Sequence, residues 1–341
     1  MKIKNVFLGL TLALCTAVPV LSGCADRNSS NKEAPQAETE EQGEDFSLIF
    51  SKPIEIICPW AEGGSADANA RTIGQVVGEK TGQTVTVFNR TGGGGAAGFE
   101  EQMNAEPDGS TLGIITAELN TLPPQGEVDF SQEDFYPIIR MNTLPACVAV
   151  AADAPYTSLE ELISYAAAHP GSLRTGNVGE GSIWHICAAK LERQANISLQ
   201  HLSYDGASSA AEALVNGELD MVTLETSVMN AFAETGQVRI LAVMAEERLS
   251  SFPGYPTCKE LGYPVVSGSF QGIVCPTDVP QETKDALERL FTEAYQSQAY
   301  QTFCNSYGLE KSFLNSAQFR TFLEEDLESV TKILKDLELT D

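Results

Sequence analysis

The chain has 341 residues, 43% of them hydrophobic and 20% charged, which is the composition of a protein that buries extensive cores, and its length predicts about two domains. Its 47 Asp and Glu against 21 Lys and Arg leave a net charge of −26. That balance excludes a nucleic-acid-binding surface, which needs clustered cations to meet phosphate.

Lys2 and Lys4 precede an apolar run from Val6 to Leu21, which closes on Leu21-Ser22-Gly23-Cys24. A run this short, ended by small residues, predicts a cleaved signal peptide over residues 1–23 rather than a spanning helix. Leu-Ser-Gly-Cys resembles a bacterial lipobox, so Cys24 is the expected lipidation site. The mature chain is then extracytoplasmic and anchored to the bacterial cell membrane. Residues 24–46 read as an acidic tether, with seven acids, two bases and almost no large apolar side chain from Ala25 to Phe46. As a random coil those 22 residues reach about 26 Å. Six cysteines follow Cys24, and an even number outside the cytoplasm is compatible with disulfides. Four of them, Cys58, Cys147, Cys187 and Cys275, sit inside apolar runs where Cys acts as a small core side chain, which favours free buried thiols. No CxxC or paired His points to a metal.

From Lys52 onward, β-rich runs alternate with helix-length segments, as in α/β folds with largely parallel sheets. The expected order is a strand at 53–58, a helix at 65–80, a strand at 84–88, a glycine loop with a helix to about Ala105, and a strand at 111–116. A second series follows, with strands near 146–151 and 173–177, helices near 159–168 and 182–194, and a strand at 238–243. Beyond Pro253 and Pro256, amphipathic helices at about 281–298 and 317–337 are expected to close the chain as packing elements.

Three strand-to-helix turns have the chemistry of a site. In Cys58-Pro59-Trp60-Ala61-Glu62-Gly63-Gly64-Ser65-Ala66-Asp67, two glycines admit a ligand to the backbone, and Ser65 with the first-turn N–H groups offers an anion cup. The turn Thr175-Gly176-Asn177-Val178-Gly179-Glu180-Gly181-Ser182 repeats that design, with His185 one turn into the next helix. Tyr204-Asp205-Gly206-Ala207-Ser208 again precedes a helix. Cups in separate halves of the chain fit a cleft closing on one ligand. Gly93 to Gly98 spells G-x-G-x-x-G, with Glu118 lying 20 residues beyond it, a dinucleotide spacing. An exported chain lacks a nicotinamide pool, so close packing of two segments is the preferred reading of that loop. With three histidines and no G-x-S-x-G elbow, hydrolysis is not expected.

These motifs, in order, resemble the substrate-binding proteins of tripartite tricarboxylate transporters, the Bug or TctC-like family. The resemblance rests on Lys52-Pro53-Ile54 leading to Pro59-Trp60-x-x-Gly63-Gly64-Ser65-x-Asp67, then Asn89-Arg90-x-Gly92-x-Gly94-Gly95, Pro107-Asp108-Gly109, and Gly179-x-Gly181-Ser182-x-x-His185. Tyr204-x-Gly206-Ala207, Gly217-Glu218-Leu219-Asp220 and Tyr255-Pro256-Thr257 continue it to about Leu337. It implies an α/β fold of the two-domain, type II periplasmic-binding-protein (Venus-flytrap) class, each domain a mixed sheet flanked by helices. Domain 1 would comprise residues 47–148 plus 251–341, and domain 2 residues 149–250. It also implies a non-enzymatic function without cofactor or metal: capture of a small carboxylate, whether a tri- or dicarboxylate, an amino acid or an aromatic acid. Hinge closure would then deliver it to one large and one small integral membrane subunit driven by an ion gradient, with the binding protein acting as a monomer.

By position, the implied contacts are Trp60, Gly64, Ser65, Ala66 and Asp67 from the first domain, and Gly179, Gly181, Ser182, Gly206 and Ala207 from the second. Three residues depart from the common family pattern: Ala66 stands where Thr is usual, Trp184 where Pro is usual, and Glu225 where Asp is usual. Glu225 belongs with the contacts. Glu180 does too if it faces the ligand, which would then carry a positive group; otherwise it points to solvent. Two alternatives remain from the sequence, a ligand-sensing component for a membrane kinase and a secreted NAD-type oxidoreductase.

Overall fold

A five-residue strand, β1 (Ile54–Cys58), is almost wholly buried and pairs in parallel with β2 (Val85–Asn89) and β3 (Thr111–Ile115). Burial on both faces explains its near-continuous apolar run, since helices cover parallel strands from both sides. The computed structural model describes residue 50 and residues 52–340; the expected signal peptide, the Cys24 lipidation site and the tether lie outside the described residues. Helix α1 (Ser65–Thr81) links β1 to β2 and stops where Gly82 turns left-handed and its N–H returns to the Gly78 carbonyl. Helices α2 (Ala96–Met103) and α3 (Glu118–Thr121) follow β2 and β3.

The strand expected at 146–151 is the second half of a much longer one. β4 (Phe135–Ala151) has 17 residues and belongs to both parts of the sheet. Its first part, to Pro145, pairs antiparallel with β9 (Gly268–Pro276), and its second part, from Ala146, pairs antiparallel with β7 (Met221–Glu225) and β8 (Val238–Val243). β5 (Arg174–Asn177) and β6 (Gln200–Ser203) run parallel to β7. The result is one mixed ten-stranded sheet, curled and flanked by helices, as expected for the α/β class. Helices α4 (Leu159–Ala168), α5 (Ile183–Ala195), α6 (Ala207–Val215) and α7 (Thr226–Glu234) cover its second part.

The C-terminal region contains more than two packing helices. α8 (Gln281–Gln296) and α10 (Ser316–Asp336) match the expected pair, but α9 (Gln298–Tyr307) and β10 (Glu310–Leu314) lie between them, and β10 pairs antiparallel with β4. The core under α1, α8 and α9 includes Ile56, Ile73, Leu287, Phe291 and Tyr300. A second core, under α4, α5 and α10, includes Val148, Leu162, Ile186, Phe270 and Phe319. Cys58, Cys147, Cys187, Cys258, Cys275 and Cys304 are all buried and free. No helix among the described residues is long and apolar enough to cross a membrane.

Strand direction places the turns. β3 is antiparallel to β9, and β9 to β4, so β1 to β3 point the way β4 points; β5 to β7 oppose β4. The C-terminal ends of both parallel sets therefore converge on the crossing at Pro145 and Ala146, where Pro145 faces Gly268 and Ala146 faces Glu225. Ligands of open α/β sheets bind outside the carboxyl ends of such strands.

Candidate functional site

The first turn is built around Asp67, which is 2% exposed. Its Oδ2 accepts from the Gly63 N–H at 2.9 Å and from Arg71 Nε at 3.0 Å, while Oδ1 accepts from Asn89 Nδ2 at 2.9 Å. Asn89 Nδ2 also donates to the Trp60 carbonyl at 2.8 Å, so one amide ties both ends of the turn to β2. Burial pushes the Asp67 carboxyl up, and the bonds from Arg71, Gly63 and Asn89 more than offset it, leaving the group below the usual carboxylate range. The carboxylate is thus committed to the fold, and what Asp67 presents outward is its first-turn N–H.

Trp60, half-buried, donates its indole N–H to Thr116 Oγ1 at 3.2 Å, and Thr116 in turn donates to Glu118. Burial raises the Glu118 carboxyl. Ser65 Oγ accepts from Gln271 Nε2 at 3.2 Å, and Gln271 Oε1 accepts from Asn69 at 2.6 Å and Asn142 at 3.1 Å. Since the Ser65 oxygen is occupied as an acceptor, its O–H remains free to donate. Gly64 caps α1 without any side-chain hydrogen bond, so the N–H groups of Ser65, Ala66 and Asp67 have no intrahelical partner.

The glycine loop serves this turn. Gly98 packs so closely on Pro59 that a Cβ there would lie 2.7 Å from the Pro59 Cα and 3.0 Å from the Arg90 carbonyl. Gly95 lies nearby, where a Cβ would reach Pro59 and the Trp60 ring only at an ordinary contact distance of 3.6 Å. Gly98→Ala should therefore cost about 2 kcal/mol through overpacking against backbone, read as a lower urea midpoint at unchanged slope. A midpoint within error of the parent would show that Pro59 yields freely.

The second turn, between β5 and α5, commits more of its donors internally. The Gly181 N–H donates to His185 Nδ1 at 3.1 Å, and Ser182 Oγ accepts from the His185 N–H at 3.3 Å. Gly179 and Gly181 have φ of 98° and 71°, conformations that glycine adopts without strain. A Cβ on Gly181 would lie 1.9 Å from Gln125 Oε1, so the segment after α3 rests directly on this loop. Glu180 is exposed and makes no hydrogen bond or ion pair among the described residues. Burial lowers His185 to about 4, reinforced by His201, whose ring centre is 4.4 Å away.

At the third turn Gly206 caps α6, again with no side-chain hydrogen bond, leaving the N–H groups of Ala207, Ser208 and Ser209 without intrahelical partners. Glu225 ends β7 directly at the crossing, half-buried; its carboxylate accepts from Ser227, and burial raises it. Arg71 is the cation at these turns, and Asp67 and Glu62 hold it. Among the described residues no cluster could hold a metal ion.

Topology thus directs Trp60 to Asp67, Gly179 to Ser182, Gly206 with Ala207, and Glu225 toward one crossing. Thr116, Gln125 and Gln271 support the site and were not singled out by sequence. Gln271 is a lone amide in an apolar run, Phe270-Gln271-Gly272-Ile273-Val274, and that polar break was the available signal.

The family model described as "Tripartite tricarboxylate transporter family receptor" matches residues 69–339. The chain belongs to this family. BugT of Bordetella pertussis is 26% identical to it over 84% of this chain and 89% of that protein. A TctC solute-binding protein from Polaromonas, whose crystal structure has no ligand, superposes with a TM-score of 0.75 at 29% identity, covering 84% of this chain and 99% of the other. MatC from Rhodopseudomonas palustris with bound malate shares the fold at a TM-score of 0.69 and 22% identity, over 83% of this chain and 99% of that one. The protein is a solute-binding receptor of the TctC and Bug type, a family that is not enzymatic.

Proposed function

We propose that the crossing at Pro145 and Ala146 floors a ligand cleft that captures a small carboxylate and closes on it as a two-lobed trap. Residues 47–148 with 251–341 would form one lobe and 149–250 the other. The observation that carries this reading is the pair of helix N-termini capped only by glycine, at Gly64 and Gly206, on turns that converge with no free cation among the described residues. Unpaired first-turn N–H groups favour negative charge. The Ser65 hydroxyl adds a donor, Trp60 a flat wall, and Ala66, Asp67 and Ala207 backbone N–H groups. Gly179 and Ser182 frame the opposite side, where the Gly181 N–H is already engaged. Capture outside the cytoplasm, by a monomer tethered through a lipid on Cys24, would feed the large and small membrane subunits of a tripartite carrier. The malate-bound relative supports the ligand class.

Thermal unfolding tests it, using protein unfolded and refolded to strip carried ligand, against malate, other di- and tricarboxylates, aromatic acids and amino acids. Ligand at a hundred times Kd adds about 2.7 kcal/mol. A shift with one acid, lost in Ser65→Ala, is the expected result. No shift across the panel with verified refolding would overturn the carboxylate reading.

A further inference from the structure

A cavity of about 490 Å3 opens at the sheet crossing, where Pro145 and Gly268 line it, and none of the expected ligand contacts lines it. Its walls come from β4 (Arg140, Pro145), the segment after β8 (Met244, Leu249), β10 (Ser312), α10 (Phe322, Asp326) and Lys190 of α5. Lys190 lies seven residues into α5 from the end that the Gly179–Ser182 turn approaches, about 10 Å along the helix axis.

Arg140 decides the chemistry. It is 8% exposed, and burial lowers its pKa to about 10, the mark of a guanidinium short of polar company. Nε donates to the Ser312 carbonyl at 3.1 Å and Nη2 to Ser312 Oγ at 2.6 Å, while the group sits 4.4 Å from the Phe322 ring centre. Nη1 has no acceptor among the described residues. Lys190, half-buried, makes no hydrogen bond or close ion pair among the described residues, and its charge acts on Asp326 at longer range. The acids of the rim are largely engaged elsewhere: Glu246 pairs with Lys259, and Glu310 accepts from Ser250. Arg248 likewise is held by Glu260. Asp326 is the inner acid, accepting from Asn120 with one oxygen. Arg140 and Lys190 against Asp326 sum to +1 in the interior, while the remaining rim charges, Lys311, Glu247 and Glu310, sum to −1, so the positive surplus is local to Arg140 and Lys190. Met244 and Leu249 are buried beside it, Phe322 covers one side, and Val266, 43% exposed, stands at the mouth.

We propose that this cavity is a second binding site, separate from the cleft, for a monoanionic carboxylate with an apolar body of about the size of benzoate. Arg140 Nη1 and Lys190 Nζ would hold the carboxylate, and Met244, Leu249 and Phe322 the apolar part. The volume lies within the range of small-molecule pockets, and the arrangement is theirs as well, apolar walls with a few convergent polar groups.

The test is calorimetric titration of the full chain with benzoate, in the parent, in Lys190→Gln and in Trp60→Ala. Lys190 is only half-buried, so its replacement leaves the fold intact, which Arg140 variants do not guarantee. The expected result is a saturable benzoate phase that survives Trp60→Ala and is weakened roughly tenfold by Lys190→Gln, the loss of one charge-assisted hydrogen bond. Any benzoate that also enters the cleft appears as a further phase removed by Trp60→Ala. Absence of saturable binding, a single phase abolished by Trp60→Ala, or a surviving phase indifferent to Lys190→Gln would each overturn the proposal.

Discussion

Asp67→Ala is expected to lower stability by about 3 kcal/mol and to weaken ligand binding at the same time. Removing the carboxylate releases the Gly63 N–H to solvent and takes one of two acceptors from the half-buried Asn89 amide. Asn89 would keep its bond to the Trp60 carbonyl but lose the anchor that orients it. For a chain of this size the loss amounts to a fall in Tm of roughly 5–10 °C. Arg71→Ala provides the contrast, since the Arg71 side chain is 44% exposed and an ion pair in that setting is worth less than about 1 kcal/mol. Equal losses in the two variants would show that the ion pair, rather than the turn's own hydrogen bonds, holds the loop. Because the Asp67 carboxyl is held below its ordinary value, its contribution is present at neutral pH and disappears as pH falls through the folded value.

The turns were legible in the sequence for the reason that Asp67 matters. Glycines and a cap-competent Ser between an apolar strand and a helix have a local physical meaning, and α4 and β8 were likewise readable from local periodicity to the residue. What the sequence hid is long-range. Gln271 reaches Ser65 across 206 positions, and no pattern around either residue announces the other. β4 was read only from Ala146 because Pro137, Arg140, Asn142 and Pro145 break the apolar alternation of its first half. The strand accommodates them through register shifts at Pro137/Ile139 and Arg140/Asn142, and its partners β9 and β10 come from the far end of the chain. Those two strands were missed together with the first half of β4, since each is a strand chiefly because the others pair with it. The dinucleotide spacing from Gly93 to Glu118, set aside above in favour of close packing, is the opposite case. A locally persuasive pattern is used for packing on Pro59 and for the chain of bonds from Trp60 through Thr116 to Glu118.

Acidification is expected to loosen the second turn through His185. An N–H donor at Nδ1 requires that nitrogen to be unprotonated, so the Gly181 bond exists only with the neutral ring. The groups facing the ring are His201 and, bonded to His201 Nε2 at 2.9 Å, Glu192. Burial first and His201 second hold the folded value at about 4, against 6.5 in the unfolded chain, while Glu192 acts weakly the other way. The unfolded state therefore binds more protons between those values, and stability falls as pH drops from about 6.5 to about 4, by up to about 3 kcal/mol in all. His185→Gln isolates this contribution, because the carboxylates that titrate in the same range are common to both proteins and cancel in the difference. The stability of the parent minus that of the variant should be flat above pH 7 and fall through the window; parallel curves would remove His185 from the account. In the parent, ligand affinity should hold through most of that window and fall only as pH approaches the folded value of about 4, because a protonated ring releases the Gly181 N–H and with it the loop that lies against Gln125.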